Sequence, residues 1–293
     1  MTPDIPVQPG PERSEDPRQV QRLAGGVRRA DVDKFARSFG AFAAAYDRGR
    51  PAYPPEAVAW MTGTDKIVLE LGAGTGKFTR LLVDRGHGVY ATDIDDAMLA
   101  VLRENLPDVP TAAAPAEEIP MPDHCVEVVV SAQAFHWFDF DKALAEISRV
   151  LIPGGTLALV WNERDERIPW VRRLGELIGS GEQLRDPSDL LIESELFTDL
   201  ETAEFKYWQQ LDRDGLVDLV TSRSAYITAD EATRSAKLAQ VRAFYDEFNR
   251  GVDGLLLPYV TRCFKATAVD TSVTEEPDDA DADDDGVRLI ELD

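Results

Sequence analysis

A short apolar run that leads directly into a glycine-rich turn is the feature of this sequence that most constrains its fold. Residues 67–71 read Ile-Val-Leu-Glu-Leu, and they are followed by Gly72, Gly74 and Gly76. The run has no helical period, whereas residues 78–83 repeat apolar side chains at helical spacing. The stretch predicts a buried strand, a turn whose glycines let a ligand approach the backbone, and a helix whose first N–H groups favour a negative or strongly hydrogen-bonding ligand.

Three classes of ligand bind to turns of this kind, and the spacing of the glycines distinguishes them. A phosphate-binding P-loop requires glycine five positions before the Gly of its Gly-Lys pair and Ser or Thr after the Lys, but this chain has Leu71 and Phe78 at those places. The P-loop is therefore excluded. The G-x-G-x-x-G fingerprint of nicotinamide and flavin dinucleotide sites is also absent, because the third glycine comes one residue early, which weakens that alternative without excluding it.

Charge and composition limit the possible partners. The chain has 293 residues, of which 44% are hydrophobic, and a formal net charge of −23. A sizeable core is therefore possible. Much of the negative charge lies in residues 270–293, but the remainder is also acidic and has no basic stripe, so we do not expect binding to DNA or RNA. Cys125 and Cys263 lie in apolar runs, which predicts reduced thiols and neither a disulfide nor a metal site.

Neither a membrane span nor a signal peptide is visible in the sequence. No run of eighteen apolar residues occurs, and the N-terminus has no basic start and no apolar segment. We expect a cytoplasmic protein that is a monomer or homodimer and makes no membrane contact. Residues 1–33 and the acidic tail 270–293 are predicted to be disordered, which leaves residues 34–269 as one folded domain.

Strand and helix patterns alternate between residues 66 and 161, which predicts a parallel α/β sheet with its site at the carboxyl ends of the strands. Further strands are expected at 88–93, 109–114, 125–131, 156–161, 202–211 and 255–269, the last one broken at Pro258 as an edge or bulged strand tolerates. Helices are expected at 77–86, 140–151, 170–178, 213–226 and 231–248. An inserted segment at about 163–230 is expected to form a lid over the substrate.

Two residues at predicted strand ends are candidates for the site. Asp93 ends the second strand, where a carboxylate can accept hydrogen bonds from both hydroxyls of a ribose, while the nearby Asp95 is expected to cap the next helix. His136 follows the fourth strand and lies in the predicted cleft. It is a candidate general base, or alternatively a structural histidine that shapes its loop.

These motifs resemble those of the class I S-adenosylmethionine-dependent methyltransferases, in particular the type 11 family. The E-x-G-x-G-x-G of residues 70–76 is similar to the first motif of that class, and residues 46–54 are similar to its Y-D-x-x-R-P-x-Y-P segment. Residues 116–120, Ala-Glu-Glu-Ile-Pro, resemble the loop that holds adenine. Residues 132–139 resemble the A-x-x-x-H-W-F-D of a subgroup that includes trans-aconitate methyltransferase-like enzymes.

The resemblance implies a Rossmann-like, doubly wound sheet of seven strands, mostly parallel with an antiparallel last strand, and a helical lid. It implies S-adenosylmethionine as cofactor, with binding residues Tyr46, Glu70, Gly72, Gly74, Gly76, Asp93, Met98, Ala116, Glu117 and Gln133. On the substrate side it implies Arg50, Tyr53, Trp137, Trp161, Arg223 and Tyr226, although a helix-terminal arginine such as Arg223 also simply complements the helix dipole.

The expected acceptor is a small molecule of one of two kinds. A carboxylate needs no base and would be held by an arginine, Arg50 or Arg223, whereas a phenol, enol, quinone-like compound or amine would have its proton removed by His136. An NAD-dependent oxidoreductase and a catalytically silent cofactor-binding protein are the alternatives.

Overall fold

A computed structural model describes residues 47–179, 186–227, 229–248, 251 and 253–269. Tyr46, the predicted lead 1–33 and the predicted tail 270–293 lie outside these residues. The domain boundaries drawn from composition therefore stay predictions. Among the described residues, no helix combines the length and the apolar character needed to cross a membrane.

Seven strands form one sheet in the order β3-β2-β1-β4-β5-β7-β6. They are β1 (Ile67–Leu71), β2 (Gly88–Asp93), β3 (Thr111–Ala113), β4 (Val126–Ala132), β5 (Leu151–Arg164), β6 (Phe197–Leu211) and β7 (Leu255–Ala268). Strands β1 to β5 pair in parallel, and β7 runs antiparallel to both β5 and β6. The predicted mostly parallel sheet with a reversed last strand is confirmed.

The helices cover both faces of the sheet, as the doubly wound fold requires. In chain order they are α1 (Pro55–Thr62), α2 (Lys77–Asp84), α3 (Asp96–Asn105), α4 (Phe140–Val150), α5 (Pro169–Ile178), α6 (Pro187–Glu193), α7 (Arg213–Thr221), α8 (Ser224–Ile227) and α9 (Glu231–Phe248). Val68 packs with α1, α2 and α3, whereas its neighbour Leu69 packs with α4 and α6. Successive strand residues point to opposite faces, so β1 contributes to both apolar layers.

A third apolar cluster lies beyond the carboxyl end of β6. It joins α5, α7 and α9 to the start of β7, and its most buried members are Val171, Leu174, Leu216, Val241 and Leu257. The helices that form it come from two separate insertions, because β6 lies within the predicted lid range of 163–230 and divides it. The single helix predicted at 213–226 is also interrupted, since α7 ends at Thr221 and α8 begins at Ser224.

Two predictions about the later strands, the start of the fifth strand and the break at Pro258, are wrong for identifiable reasons. The fifth strand was predicted to begin at residue 156, but β5 begins at Leu151 and contains the Pro-Gly-Gly at 153–155 as a bulge, because Val126 pairs with Leu151 while Val128 pairs with Thr156. Strand β7 is continuous through Pro258. The carbonyl of Pro258 accepts a hydrogen bond from Asp165, but proline has no N–H to return, so the β5–β7 ladder ends at this residue.

Candidate functional site

Neighbouring side chains pack closely against the glycine turn between β1 and α2 from two sides. Gly72, Gly74 and Gly76 have φ of 71°, 57° and 87°, a backbone region that other residues rarely adopt. A Cβ atom at Gly72 would lie 2.4 Å from the Cβ of Ala134, and one at Gly76 would lie 2.8 Å from the Cγ of Leu102. The turn therefore requires glycine for its conformation and for the approach of its neighbours.

Asp93 fastens this turn to the end of β2. Its Oδ2 accepts a hydrogen bond from the Gly74 N–H at 2.8 Å, and its Oδ1 accepts one from the Asp95 N–H at 2.8 Å. Burial raises the pKa of Asp93 above its usual range. Asp95 accepts a hydrogen bond from the Ala97 N–H and caps α3, as predicted. The Asp93 carboxylate is thus held in one orientation at the edge where the parallel strands end.

A cavity of about 400 Å³ opens next to these residues, at the ends of β2 and β3 and the start of α3. Its lining consists of Ile94, Asp95, Asp96, Ala97, Ala113, Ala114 and Pro115. Sequence reasoning did not select Ala113, Ala114 or Pro115, although their place at the end of a predicted strand was a usable signal.

The predicted adenine-loop residues are placed behind this lining. Ala116 is only 5% exposed, and the Oε1 of Glu117 accepts a hydrogen bond from the Asp139 N–H at 2.6 Å. Glu117 therefore ties the loop to the residue that precedes α4. Met98 is 4% exposed and belongs to the buried residues of α3. These three side chains therefore pack behind the cavity and support its walls, and none of them is among the residues that line it.

Glu70 is enclosed in the protein beneath the glycine turn. Its side chain is 1% exposed and accepts a hydrogen bond from the hydroxyl of Thr79 on α2 at 2.6 Å. Burial raises the pKa of Glu70 to about 8, and the Thr79 hydroxyl opposes this rise. The contact joins β1 to α2, so the placement of Glu70 fits support of the turn.

His136 lies in a 3₁₀ turn (Phe135–Trp137) that follows β4. The Nε1–H of Trp161 donates a hydrogen bond to its Nδ1 at 3.4 Å. Burial and, second, the positive charge of Arg50 lower the pKa of His136 to about 4. The ring is therefore neutral at pH 7 with its proton on Nε2. Since Nδ1 already accepts from Trp161, this arrangement does not favour the predicted general base.

Residues 47–54, which we call the 47–54 segment, cross over the carboxyl edge of the sheet. Its hydrogen bonds join it to several elements. Asp47 accepts from Thr75 of the glycine turn, and Arg48 pairs with Asp218 of α7. Gly49 accepts from Gln209 of β6, Arg50 donates to the Ser222 carbonyl, and Ala52 accepts from Asn162 of β5. A Cβ at Gly49 would lie 2.3 Å from the Asp218 backbone, so the segment is packed tightly on α7.

The predicted substrate residues fall into two groups. Tyr53 packs edge-on against Phe78 at 5.0 Å, and Trp161 packs against Phe264 at 5.8 Å, so both rings lie in the core. The half-buried group consists of Arg50, Trp137, Arg223 and Tyr226. The Trp137 ring is 4.9 Å from His136. Arg223 lies at the break between α7 and α8, where the Tyr226 ring contacts the guanidinium of Arg234.

Gln133 adopts an unusual backbone conformation after β4, with a φ of 59°. Its Nε2 donates a hydrogen bond to the carbonyl of Asn162 at 3.1 Å. Asn162 and its neighbour Thr261 were not selected from the sequence. No local pattern marks them, because their contacts join residues about a hundred positions apart. In the described part of the chain, no cluster of His, Cys, Asp and Glu side chains is arranged to hold a metal ion.

Comparison with known proteins agrees with this arrangement. A family model described as a methyltransferase domain matches residues 69–159. An uncharacterized methyltransferase from Mycobacterium tuberculosis is 47% identical over 234 residues, which cover 78% of this chain and 95% of that protein. An uncharacterized methyltransferase-like protein from Schizosaccharomyces pombe is 42% identical over 149 residues, or 49% of this chain and 58% of that protein.

A solved structure from Anaeromyxobacter dehalogenans, provisionally assigned as a type II methyltransferase, has a TM-score of 0.57 and 26% identity. The alignment covers 75% of this chain and 97% of that one. Together with the M. tuberculosis relative, which aligns over nearly its whole length, it extends the relationship well beyond the glycine turn. The chain therefore belongs to the type 11 family of S-adenosylmethionine-dependent methyltransferases.

Proposed function

We propose that the protein methylates an ionised oxygen of a small carboxylic acid. Family membership establishes methyl transfer and leaves the acceptor open. S-adenosylmethionine supplies a methyl group that is already strongly electrophilic. The protein's task is therefore to hold the acceptor oxygen in line and to keep water out, and much of the rate can come from this positioning.

The residues at the carboxyl edge fit the cofactor. The Asp93 carboxylate keeps further acceptor capacity beside its two backbone hydrogen bonds, which suits the two hydroxyls of a ribose. The cavity lined by Ala113, Ala114 and Pro115 suits the adenine. Gly72, Gly74 and Gly76 leave the turn without side chains, which suits the approach of the methionine end.

The charge of Arg50 is the observation that carries the choice of acceptor. Arg50 is half-buried, and its Nη2 donates to the Ser222 carbonyl at 3.2 Å. After burial, its charge is the second cause that lowers the pKa of His136, and with Arg164 it opposes the burial that raises the pKa of Tyr259. A guanidinium that influences both the half-buried His136 ring after β4 and the buried Tyr259 ring of β7 creates a positive potential inside the fold. A carboxylate is the small-molecule group that this potential stabilises best, because guanidinium and carboxylate form charge-assisted hydrogen bonds.

The state of His136 supports the same choice. With Nδ1 accepting from Trp161 and the proton on Nε2, the neutral ring presents an N–H donor. Such a group can bind a carboxylate oxygen but cannot take a proton from a phenol or an amine through Nε2. A carboxylate is already ionised at pH 7 and requires no base. The likeness of residues 132–139 to trans-aconitate methyltransferase-like enzymes is compatible with this acceptor and stays a prediction.

A screen with labelled S-adenosylmethionine against small carboxylic acids, phenols, quinones and amines tests this proposal. We expect methylation of carboxylic acids, with a kcat/KM that is constant between about pH 6 and 8, because the acceptor carboxyl and His136 both titrate below this range. Methylation of a phenol or an amine with a rate that rises through this range would restore the base role. Methylation of none of the compounds would favour the catalytically silent alternative.

Arg50→Gln is expected to raise the acceptor KM by about 10-fold to 100-fold, which corresponds to the loss of one hydrogen bond to a charged group. The Kd of the cofactor should not change. Arg48→Gln is the matched control, because Arg48 belongs to the same segment and pairs with Asp218 of α7, but its side chain is exposed. Equal effects of the two substitutions on the acceptor KM would show that only the docking of the segment matters.

A further inference from the structure

We infer that Thr261 is a positioning residue for the reaction, acting through Asn162 on the segment that carries Arg50. The inference rests on the proposed function for the role of Arg50. It does not depend on the chemical class of the acceptor, because the chain of contacts ends at the backbone of the 47–54 segment.

Thr261 is completely buried in β7 and lies directly opposite Asn162 in the β5–β7 ladder. Its hydroxyl donates a hydrogen bond to the Oδ1 of Asn162 at 2.5 Å. The antiparallel direction of β7 produces this pairing, since it brings residue 261 beside the end of β5 where the parallel strands open onto the site. Because Thr261 is buried, this short contact anchors the Asn162 amide through its Oδ1.

The orientation of the Asn162 amide decides how the 47–54 segment is held. With Oδ1 facing Thr261, the Nδ2 group donates to the carbonyl of Ala52 at 2.9 Å. In the reversed orientation Oδ1 would face the Ala52 carbonyl, and two acceptors would oppose each other. The acceptor-only carbonyl of Ala52, two residues after Arg50, therefore fixes the orientation of the amide, and the Thr261 hydroxyl holds the Oδ1 that this orientation turns toward β7.

The backbone of Asn162 makes a separate contact toward the cofactor side. Its carbonyl accepts from the Nε2 of Gln133, and Gln133 precedes Ala134, the residue against which Gly72 packs. This contact does not involve the Asn162 side chain. A change at Thr261 should therefore affect the acceptor side of the site and leave the cofactor side intact.

Thr261→Val and Thr261→Ser form the test pair. Valine keeps the branched shape and removes the hydroxyl, whereas serine keeps the hydroxyl. We expect Thr261→Val to lower kcat by about tenfold at saturating acceptor, because a small displacement of a bound group is enough to slow an in-line transfer. The Kd for S-adenosylhomocysteine should stay unchanged, and Thr261→Ser should restore kcat. Equal loss in both variants, or a parallel loss of cofactor affinity, would overturn the inference.

Asn162→Asp gives a second variant, because it removes the Nδ2 donor to Ala52 and keeps the size of the side chain. If the two residues act as one unit, kcat of the Thr261→Val and Asn162→Asp double variant will be close to that of the worse single variant. Multiplication of the two single effects would show that the residues act independently and would overturn the inference.

Trypsin cleavage after Arg48 separates the failure of this inference from the failure of the proposed function, since it needs no acceptor. Loosening of the segment in Thr261→Val should accelerate this cleavage, with thermal unfolding measured alongside, and Thr261→Ser should cleave as the wild type does. If Thr261→Val is cleaved faster while Arg50→Gln has a normal acceptor KM, the positioning role of Thr261 stands and the carboxylate proposal is rejected. Unchanged cleavage in Thr261→Val would reject the positioning role alone.

Discussion

Gly72→Ala is expected to lower the free energy of unfolding by about 2–5 kcal/mol and to abolish cofactor binding. Two costs add. An alanine at a φ of 71° adopts a left-handed conformation that costs about 1–2 kcal/mol. Its Cβ would also lie 2.4 Å from the Cβ of Ala134, and relieving such overpacking typically costs about 1–3 kcal/mol. The relief must move either the glycine turn or the Gln133 loop, and both belong to the cofactor side of the site.

Urea unfolding and calorimetric titration with S-adenosylhomocysteine measure the two effects of Gly72→Ala. Gly88→Ala is the matched control. Gly88 is the first residue of β2, which pairs with β1, but a Cβ at Gly88 would meet nothing within 4 Å and its φ is not positive. The control should bind the cofactor normally and unfold within about 1 kcal/mol of the wild type. A Gly72→Ala protein that binds as tightly as Gly88→Ala would show that the turn can relax without cost.

Asp93→Ala is expected to raise the Kd for S-adenosylhomocysteine by at least about a hundredfold. The estimate assumes two hydrogen bonds from ribose hydroxyls to the carboxylate, each contributing about 1.5–3 kcal/mol. The substitution also leaves the Gly74 N–H without its 2.8 Å partner, so the turn itself becomes less well held. Asp108→Ala removes an exposed carboxylate in the next loop and should have no effect on the Kd.

A cofactor analogue without the two ribose hydroxyls distinguishes the two ways in which Asp93 acts. If the carboxylate binds the ribose, this analogue should bind wild type and Asp93→Ala with similar affinity, because the interaction is absent in both complexes. If Asp93 only holds the turn through Gly74, the substitution will weaken both ligands by the same factor, and the ribose assignment will be wrong.

Much of the fold could be predicted because its signals are local. The apolar run of β1, the glycines after it and the helical spacing of α2 lie within 18 residues. Asp95 could be recognised as the cap of α3 because a cap is defined by its distance from the first helical residues. The bulge in β5 was missed because Pro-Gly-Gly is a turn signal in isolation, and only pairing with β4 keeps these residues within the strand.

The side-chain roles were harder to predict than the elements. Tyr53, Trp161 and Glu117 belong to motifs that imply ligand contacts, but the structure directs them to Phe78, Phe264 and the Asp139 N–H. The direction of a side chain depends on what packs beside it. For His136, the sequence predicted a ring in the cleft. Burial and then the charge of Arg50 lower its pKa, and the contact with Trp161 indicates that the proton lies on Nε2, and none of these contacts is visible in the local sequence.

The donor side of the proposed site could be predicted from the sequence, because the glycine turn directly follows β1 and Asp93 is the last residue of β2. The proposed acceptor side depends on the tertiary structure. There the 47–54 segment, His136 of the β4 loop, Asn162 of β5 and Thr261 of β7 come together from positions more than 200 residues apart. Their alignment depends on the reversed direction of β7 and its pairing with β5. Pairing between distant strands is a property of the whole sheet, and no local pattern encodes it.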